Sequence, residues 1–128
     1  MRMFCMNFAG ERVTTSTAYL PPSVFNNRPN LTILTGTTVT RILLAQDSDT
    51  CVGVEIGQAS AGPRWDVFAR AEVVVAMGSY GSPQLLQASG IGSRTEIEAL
   101  GITCEKHLPG VGEGLLVSWR DRKSTRLN

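Results

Sequence analysis

Residues 78–83, Gly78-Ser79-Tyr80-Gly81-Ser82-Pro83, are the stretch of this sequence best suited to chemistry. They follow a continuous apolar run, Val73-Val74-Val75-Ala76, and precede a helical pattern with Leu85, Leu86 and Ala88 on one face. A strand that turns through small residues into a helix aims backbone N–H groups outward. The helix dipole adds partial positive charge at the same place. Glycine lets a ligand approach the main chain closely. The chemistry this permits is the holding of an anion or a nucleotide beyond the carboxyl end of the strand. The same turn also suits a protein that needs only tight strand–helix packing, so the residues alone leave both readings open.

The other reactive side chains are scattered. Cys5, Cys51 and Cys104 are odd in number and widely spaced, which fits neither a disulfide framework nor a zinc knuckle. They are expected as buried, reduced thiols. His107 is the single histidine, and with Cys104 it offers two ligands where a metal site needs more. No metal is expected, and His107 is expected to be structural or exposed. Asn30-Leu31-Thr32 matches a glycosylation acceptor, yet it sits directly before a segment expected to be buried.

The elements that would position the glycine turn can be read from periodicity. Residues 16–20 suit a helical turn, which Pro21 and Pro22 stop. Residues 31–35 and 38–44 read as strands. Residues 51–56 alternate, with Val52, Val54 and Ile56 facing one way and Gly53 and Glu55 the other. A further strand covers residues 65–70. Turns at 45–50 and 58–63 join the strands at 38–44, 51–56 and 65–70 into an antiparallel meander. After Glu72 the run Val73-Val74-Val75-Ala76 is apolar throughout, as in a parallel strand buried on both faces. A helix is expected with Ser82 as its N-cap, Pro83 at its first position and Gly90 at its end. A second begins at a capping box, Ser93-Arg94-Thr95-Glu96, and stops at Gly101. Residues 102–104 suit a short strand, and 108–113 a tight glycine loop. The fold class is α/β, with residues 31–35 and 73–77 as parallel strands and the meander inserted between them.

The size of 128 residues suits one modest domain. The net charge of +1 gives no electrostatic basis for nucleic-acid or anionic-membrane binding. No apolar run approaches the roughly 20 residues of a membrane-spanning helix. The ends differ from the body. Residues 1–11 lack a clear element pattern and are expected to be a non-native or poorly ordered start. Residues 114–128 are expected to be a non-native tail, and 121–128 read like the frame translation of a short-read sequencing adapter. Residues 120–128 hold four of the 12 basic and one of the 11 acidic residues, so the remainder carries −2.

Residues 78–92, GSYGSPQLLQASGIG, resemble the second signature of the glucose–methanol–choline (GMC) oxidoreductases, and every restricted position is met. The flanks agree. Arg28-Pro29-Asn30-Leu31-Thr32, then Thr35-Gly36-Thr37-Thr38-Val39-Thr40-Arg41-Ile42-Leu43, is similar to the family's segment before its small β-meander. Gly53-Val54-Glu55 and the loop Leu108-Pro109-Gly110-Val111-Gly112-Glu113 also match. The resemblance covers about residues 12–113 and implies part of a Rossmann-like FAD-binding domain with an inserted three-stranded meander. It implies FAD as cofactor and a small-molecule alcohol as substrate of the parent enzyme, oxidised by hydride transfer to the flavin. It places a main-chain contact to adenine on Val39 and cofactor approach at Gly78 and Ser79.

Two departures stand out. Met77-Gly78-Ser79 replaces the family's Ala-Gly-Ala, and Gly114-Leu115-Leu116-Val117-Ser118-Trp119 replaces an asparagine followed by Gln-Asp-His. The family's GxGxxG turn belongs upstream of this sequence and its catalytic histidine downstream. The resemblance therefore gives this chain no catalytic residue, and the fragment alone is expected to be inactive. The alternatives are a non-catalytic nucleotide-binding module and a defective gene product without stable function.

Overall fold

The computed structural model describes residues 9–46, 48–58 and 62–115. The expectations for the start of the chain up to residue 8 and for the tail from residue 116 lie outside these residues. The chain divides into two compact units, Met1–Thr35 and Gly36–Asn128.

In the first unit, helix α1 covers Thr15–Tyr19 and α2 covers Pro22–Phe25. Thr14 caps α1: its hydroxyl accepts the Thr17 N–H at 3.2 Å, while the Thr17 hydroxyl accepts the Thr14 N–H at 2.9 Å. The prolines end α1 as expected, because the residue before a proline is pushed away from helical angles. They also do what periodicity missed: Pro22 opens α2 at its first position, where the absent N–H costs nothing. Residues 31–35 do not form the buried strand expected of them. Ile33 is 43% and Leu34 61% exposed. β-Branched residues confer propensity, but a strand also needs a hydrogen-bonded neighbour. Among the described residues no strand ladder includes this segment.

The second unit opens with the meander. Strands β1 (Thr38–Leu44), β2 (Cys51–Gly57) and β3 (Arg64–Phe68) pair antiparallel in the order β1-β2-β3. The register sets Ile42, Val54 and Val67 in one cross-strand row, and Val39, Ile56 and Trp65 in the next. Both rows lie on one face, as the alternation at 51–56 predicts. Arg41, Glu55 and Asp66 form a row on the other face. Only Ile42 of the apolar face is buried, and Trp65 keeps 51% of its surface exposed.

Residues 73–77 carry no strand ladder either, so the parallel pair expected with 31–35 is absent among the described residues. The segment nevertheless leads directly into helix α3, Gly78–Ala88. Helix α4 spans Arg94–Ala99. The parallel pairing that does occur is short: β4 (Ile91–Gly92) lies beside β5 (Lys106–His107), in place of a strand at 102–104. Gly90 and Gly101 follow the two helices with φ of 79° and 74°, the left-handed stops expected. Ser93 is the N-cap of α4, but its side chain makes no capping hydrogen bond, so the expected capping box is not formed. The buried residues include Leu85 of α3, Ile97 of α4, Cys104 and Ser89.

Candidate functional site

Val39 lies in β1 next to an irregularity that decides what its backbone can do. Thr38 pairs with Gly57 and Val39 with Ile56, but the next pairing is Arg41 with Glu55. Thr40 is therefore an extra residue, a β-bulge. Its hydroxyl donates to the Glu55 carboxylate at 2.5 Å, and the Glu55 carbonyl lies 3.3 Å from the same oxygen. Arg64 adds a 2.8 Å ion pair to that carboxylate, and Arg41 a longer one at 3.6 Å. The Glu55 side chain is 14% exposed. Donation from Thr40 holds its carboxyl below the ordinary range, helped by both arginines, while desolvation pushes the other way.

The direction of Val39's main chain follows from the ladder. The Ile42 N–H points away from β2, donating to the Ser89 hydroxyl at 2.8 Å. In antiparallel pairing, successive residues alternate between facing the neighbouring strand and facing away. Ile42 thus faces away, as does its partner Val54, which turns toward β3. No residue is skipped in β2 between Val54 and Ile56. Ile56 consequently also turns toward β3, and Val39 opposite it faces away from β2. Its N–H and C=O point to the outer edge of the sheet, and its side chain sits in the apolar row.

The glycine turn differs from expectation in one respect. The helix does not wait for Ser82. Met77 (φ −88°, ψ 8°) is the N-cap and α3 already includes Gly78, whose φ is 79°. A right-handed residue followed by a left-handed one turns consecutive N–H groups toward one side, although the first of them, that of Met77, is already bonded to the Ser82 hydroxyl. A side chain on Gly78 would meet no atom within 4 Å, so glycine is present for its backbone angle. Gly81 answers a close approach instead: a Cβ there would come 2.9 Å from the Met77 Cβ. Ser82 still acts as a cap of sorts, since its hydroxyl accepts the Met77 N–H at 3.1 Å. Pro83 lies inside the helix. Lacking an N–H, it cannot bond the carbonyl four residues back, which is that of Ser79. Ser79 also lies among the first helical N–H groups, which have no helical acceptor. Ser79 is exposed at this corner.

The structure ties this corner to β1 through the far end of α3. Ser89 is 5% exposed, donates to the Leu85 carbonyl at 2.6 Å and accepts the Ile42 N–H. Ser89, just past the end of α3, lies ten positions after Ser79, about 15 Å of helical rise. Val39, Gly78 and Ser79 thus sit on elements held by one helix, and no hydrogen bond joins Val39 to either of the others among the described residues. Ser89 links α3 to β1, a tie that periodicity missed. Its partner Ile42 lies 47 positions away.

His107 is exposed, and its Nδ1 accepts the Arg94 N–H at 3.2 Å. That contact is structural. Cys104 is buried and Cys51 half-buried, both as free thiols. No group of three metal-binding side chains is present among the described residues, and no helix among them is long and apolar enough to cross a membrane. A polar groove of about 800 Å³ runs along β1 from Arg41 to Gln46, past Ser89 and Thr103 to Glu105. None of Val39, Gly78 or Ser79 lines it.

The family model for GMC oxidoreductases matches residues 2–118. The chain belongs to the GMC oxidoreductase family. It is 46% identical over 106 residues to an oxygen-dependent choline dehydrogenase of Vibrio vulnificus, covering 83% of this GMC chain and 18% of that protein. Among solved structures, pyridoxine 4-oxidase from Mesorbium loti superposes with a TM-score of 0.67 at 37% identity, over 77% of this chain and 18% of that one. An FAD-dependent oxidoreductase from Chaetomium thermophilum gives 0.63 at 34% identity, over 69% and 15%. This GMC chain thus spans less than a fifth of the length of these relatives.

Proposed function

We propose that this chain is part of the FAD-binding region of an oxidoreductase acting on the CH–OH group of a small alcohol, and that it is inactive by itself. The observation that carries this reading is the pairing of an outward-facing main chain at Val39 with the glycine corner at Gly78 and Ser79, in a chain of the GMC family. Adenine offers a donor and an acceptor side by side on one edge, and the N–H and C=O of one edge-strand residue are their complement. The Val39 side chain need only pack. Gly78 and Ser79 bring bare backbone and the positive end of α3 to the same cofactor. When bound, FAD supplies a two-electron acceptor for the carbinol carbon.

The architecture proposed is a partial Rossmann-like domain in which residues 73–77, which form no ladder among the described residues, lead into α3 and the meander is the insertion. Inactivity follows from the residues at hand. The lone histidine is engaged by Arg94, and the carboxylate nearest Val39, that of Glu55, is taken up by Thr40, Arg64 and Arg41. FAD titration followed by amide NMR tests the reading. Shifts are expected at Val39, Gly78 and Ser79, with no flavin retained through gel filtration and no alcohol-dependent reduction of a dye. Shifts confined to other residues would refute the site. Stoichiometric yellow protein would favour a non-catalytic nucleotide-binding module, and turnover would overturn inactivity.

A further inference from the structure

We propose that Thr40 and Glu55 are positioning residues for adenine recognition: the bulge they pin is what turns Val39's main chain outward. This rests on the reading of Val39 as the adenine contact.

The argument is one of parity. Arg41 pairs with Glu55, and alternation from Ile42 puts its main chain toward β2. In an unbroken strand Val39, two residues earlier, would share that direction. Its N–H and C=O would then be spent on the ladder, and its side chain would join Arg41 on the charged face. The extra residue at Thr40 reverses both. Val39 faces outward, and its side chain joins Ile42, Val54 and Ile56 on the apolar face.

A bulge has to be held, because the regular ladder competes with it. The polar contacts at this point all converge on Glu55: Thr40 at 2.5 Å, Arg64 at 2.8 Å and Arg41 at 3.6 Å. The Thr40 hydroxyl is the contact that belongs to the extra residue itself. Removing it leaves nothing on Thr40 to favour the bulged register over one slipped by a residue. In a slipped register the Val39 backbone points inward and adenine loses its partner. Guanine is the informative comparison, since its Watson–Crick edge reverses the donor–acceptor order and gains nothing from the native arrangement.

The test uses the whole 128-residue chain, with ADP and GDP as probes and amide NMR plus thermal melting as readouts. The chain and Thr40→Ser, which keeps the hydroxyl, are expected to prefer ADP and to shift the Val39 amide. Thr40→Val and Glu55→Ala are expected to lose the preference by about tenfold, the weight of one ordinary net hydrogen bond. A purely structural role would lower the melting temperature of these variants and leave the ADP:GDP ratio unchanged. That result in either folded variant overturns the proposal, as does loss of preference in Thr40→Ser. If ADP leaves Val39 unmoved in the unmutated chain, the adenine reading itself fails and takes this inference with it.

Discussion

Ser89 shows how much a single hydroxyl can organise. It closes the end of α3 on the Leu85 carbonyl and satisfies the Ile42 N–H of β1 in a buried setting. Ser89→Ala leaves that N–H without a partner, and an unsatisfied buried donor costs about 1–3 kcal/mol. Chemical denaturation should show that loss, and a change under about 0.5 kcal/mol, the scale of an ordinary surface substitution, would mean that water replaces the hydroxyl. Glu55 makes a prediction about acid. Its folded carboxyl is held below the ordinary 4.5, first by Thr40 and then by the arginines. A depressed folded value means the unfolded chain binds the proton more readily. The stabilisation is complete above the unfolded value and disappears as pH falls through the folded one. Melting temperatures followed downward from neutral pH should fall more steeply in this protein than in Glu55→Gln. Parallel curves would remove Glu55 from the account.

At the scale of elements, close packing sets apart two glycines that look equivalent in the sequence. Gly90 and Gly101 both end helices in the left-handed conformation. A Cβ at Gly101 meets nothing within 4 Å, whereas one at Gly90 would lie 2.5 Å from the Thr103 carbonyl oxygen. The backbone must come that close because Gly90 O accepts the N–H groups of both Glu105 and Lys106, at 2.9 and 3.1 Å. Gly101→Ala should therefore cost only the left-handed penalty of about 1–2 kcal/mol. Gly90→Ala should cost clearly more, because backbone has to move, and equal losses in denaturant titrations would contradict the packing argument. The helix stops were legible because glycine angles are local chemistry. The meander was legible because alternation at 51–56 and two polar turns are local too. The start of α3 was not. Ser82-Pro83 has the composition of a cap and first turn, but the left-handed angle at Gly78 let the helix begin earlier. Nor was the bulge, since nothing about Thr40 in the sequence distinguishes an extra residue from a paired one. Its cause is Glu55, 15 positions away. Residues 31–35 and 73–77 read as strands because composition reports propensity and says nothing of a partner. Of the candidate site, Gly78 and Ser79 were visible as a turn; Val39 rested on family resemblance, and its outward backbone emerged only from the ladder.

At the scale of the molecule, surface composition becomes the controlling quantity. In the unit carrying the meander, Val74, Tyr80 and Phe68 are 76%, 71% and 70% exposed, and Trp65 and Val67 are about half exposed. Trp65 and Val67 stand side by side on the apolar face of β3, and β3 pairs only with β2 among the described residues. An apolar edge strand offers both hydrophobic area and unpaired backbone groups to another chain. The net charge of +1 supplies almost no repulsion to oppose contact. The isolated chain should therefore associate as its concentration rises. Sedimentation velocity should show a weight-average mass that grows with loading, and a hydrophobic dye should brighten on binding. Val67→Lys places a charge in the middle of that edge without touching Glu55, Ser89 or the glycine corner, and should return the mass toward 13.8 kDa. If the unmutated chain sediments as a monomer at every concentration and leaves the dye dark, the apolar rows of the meander are better covered in solution than their exposure here indicates.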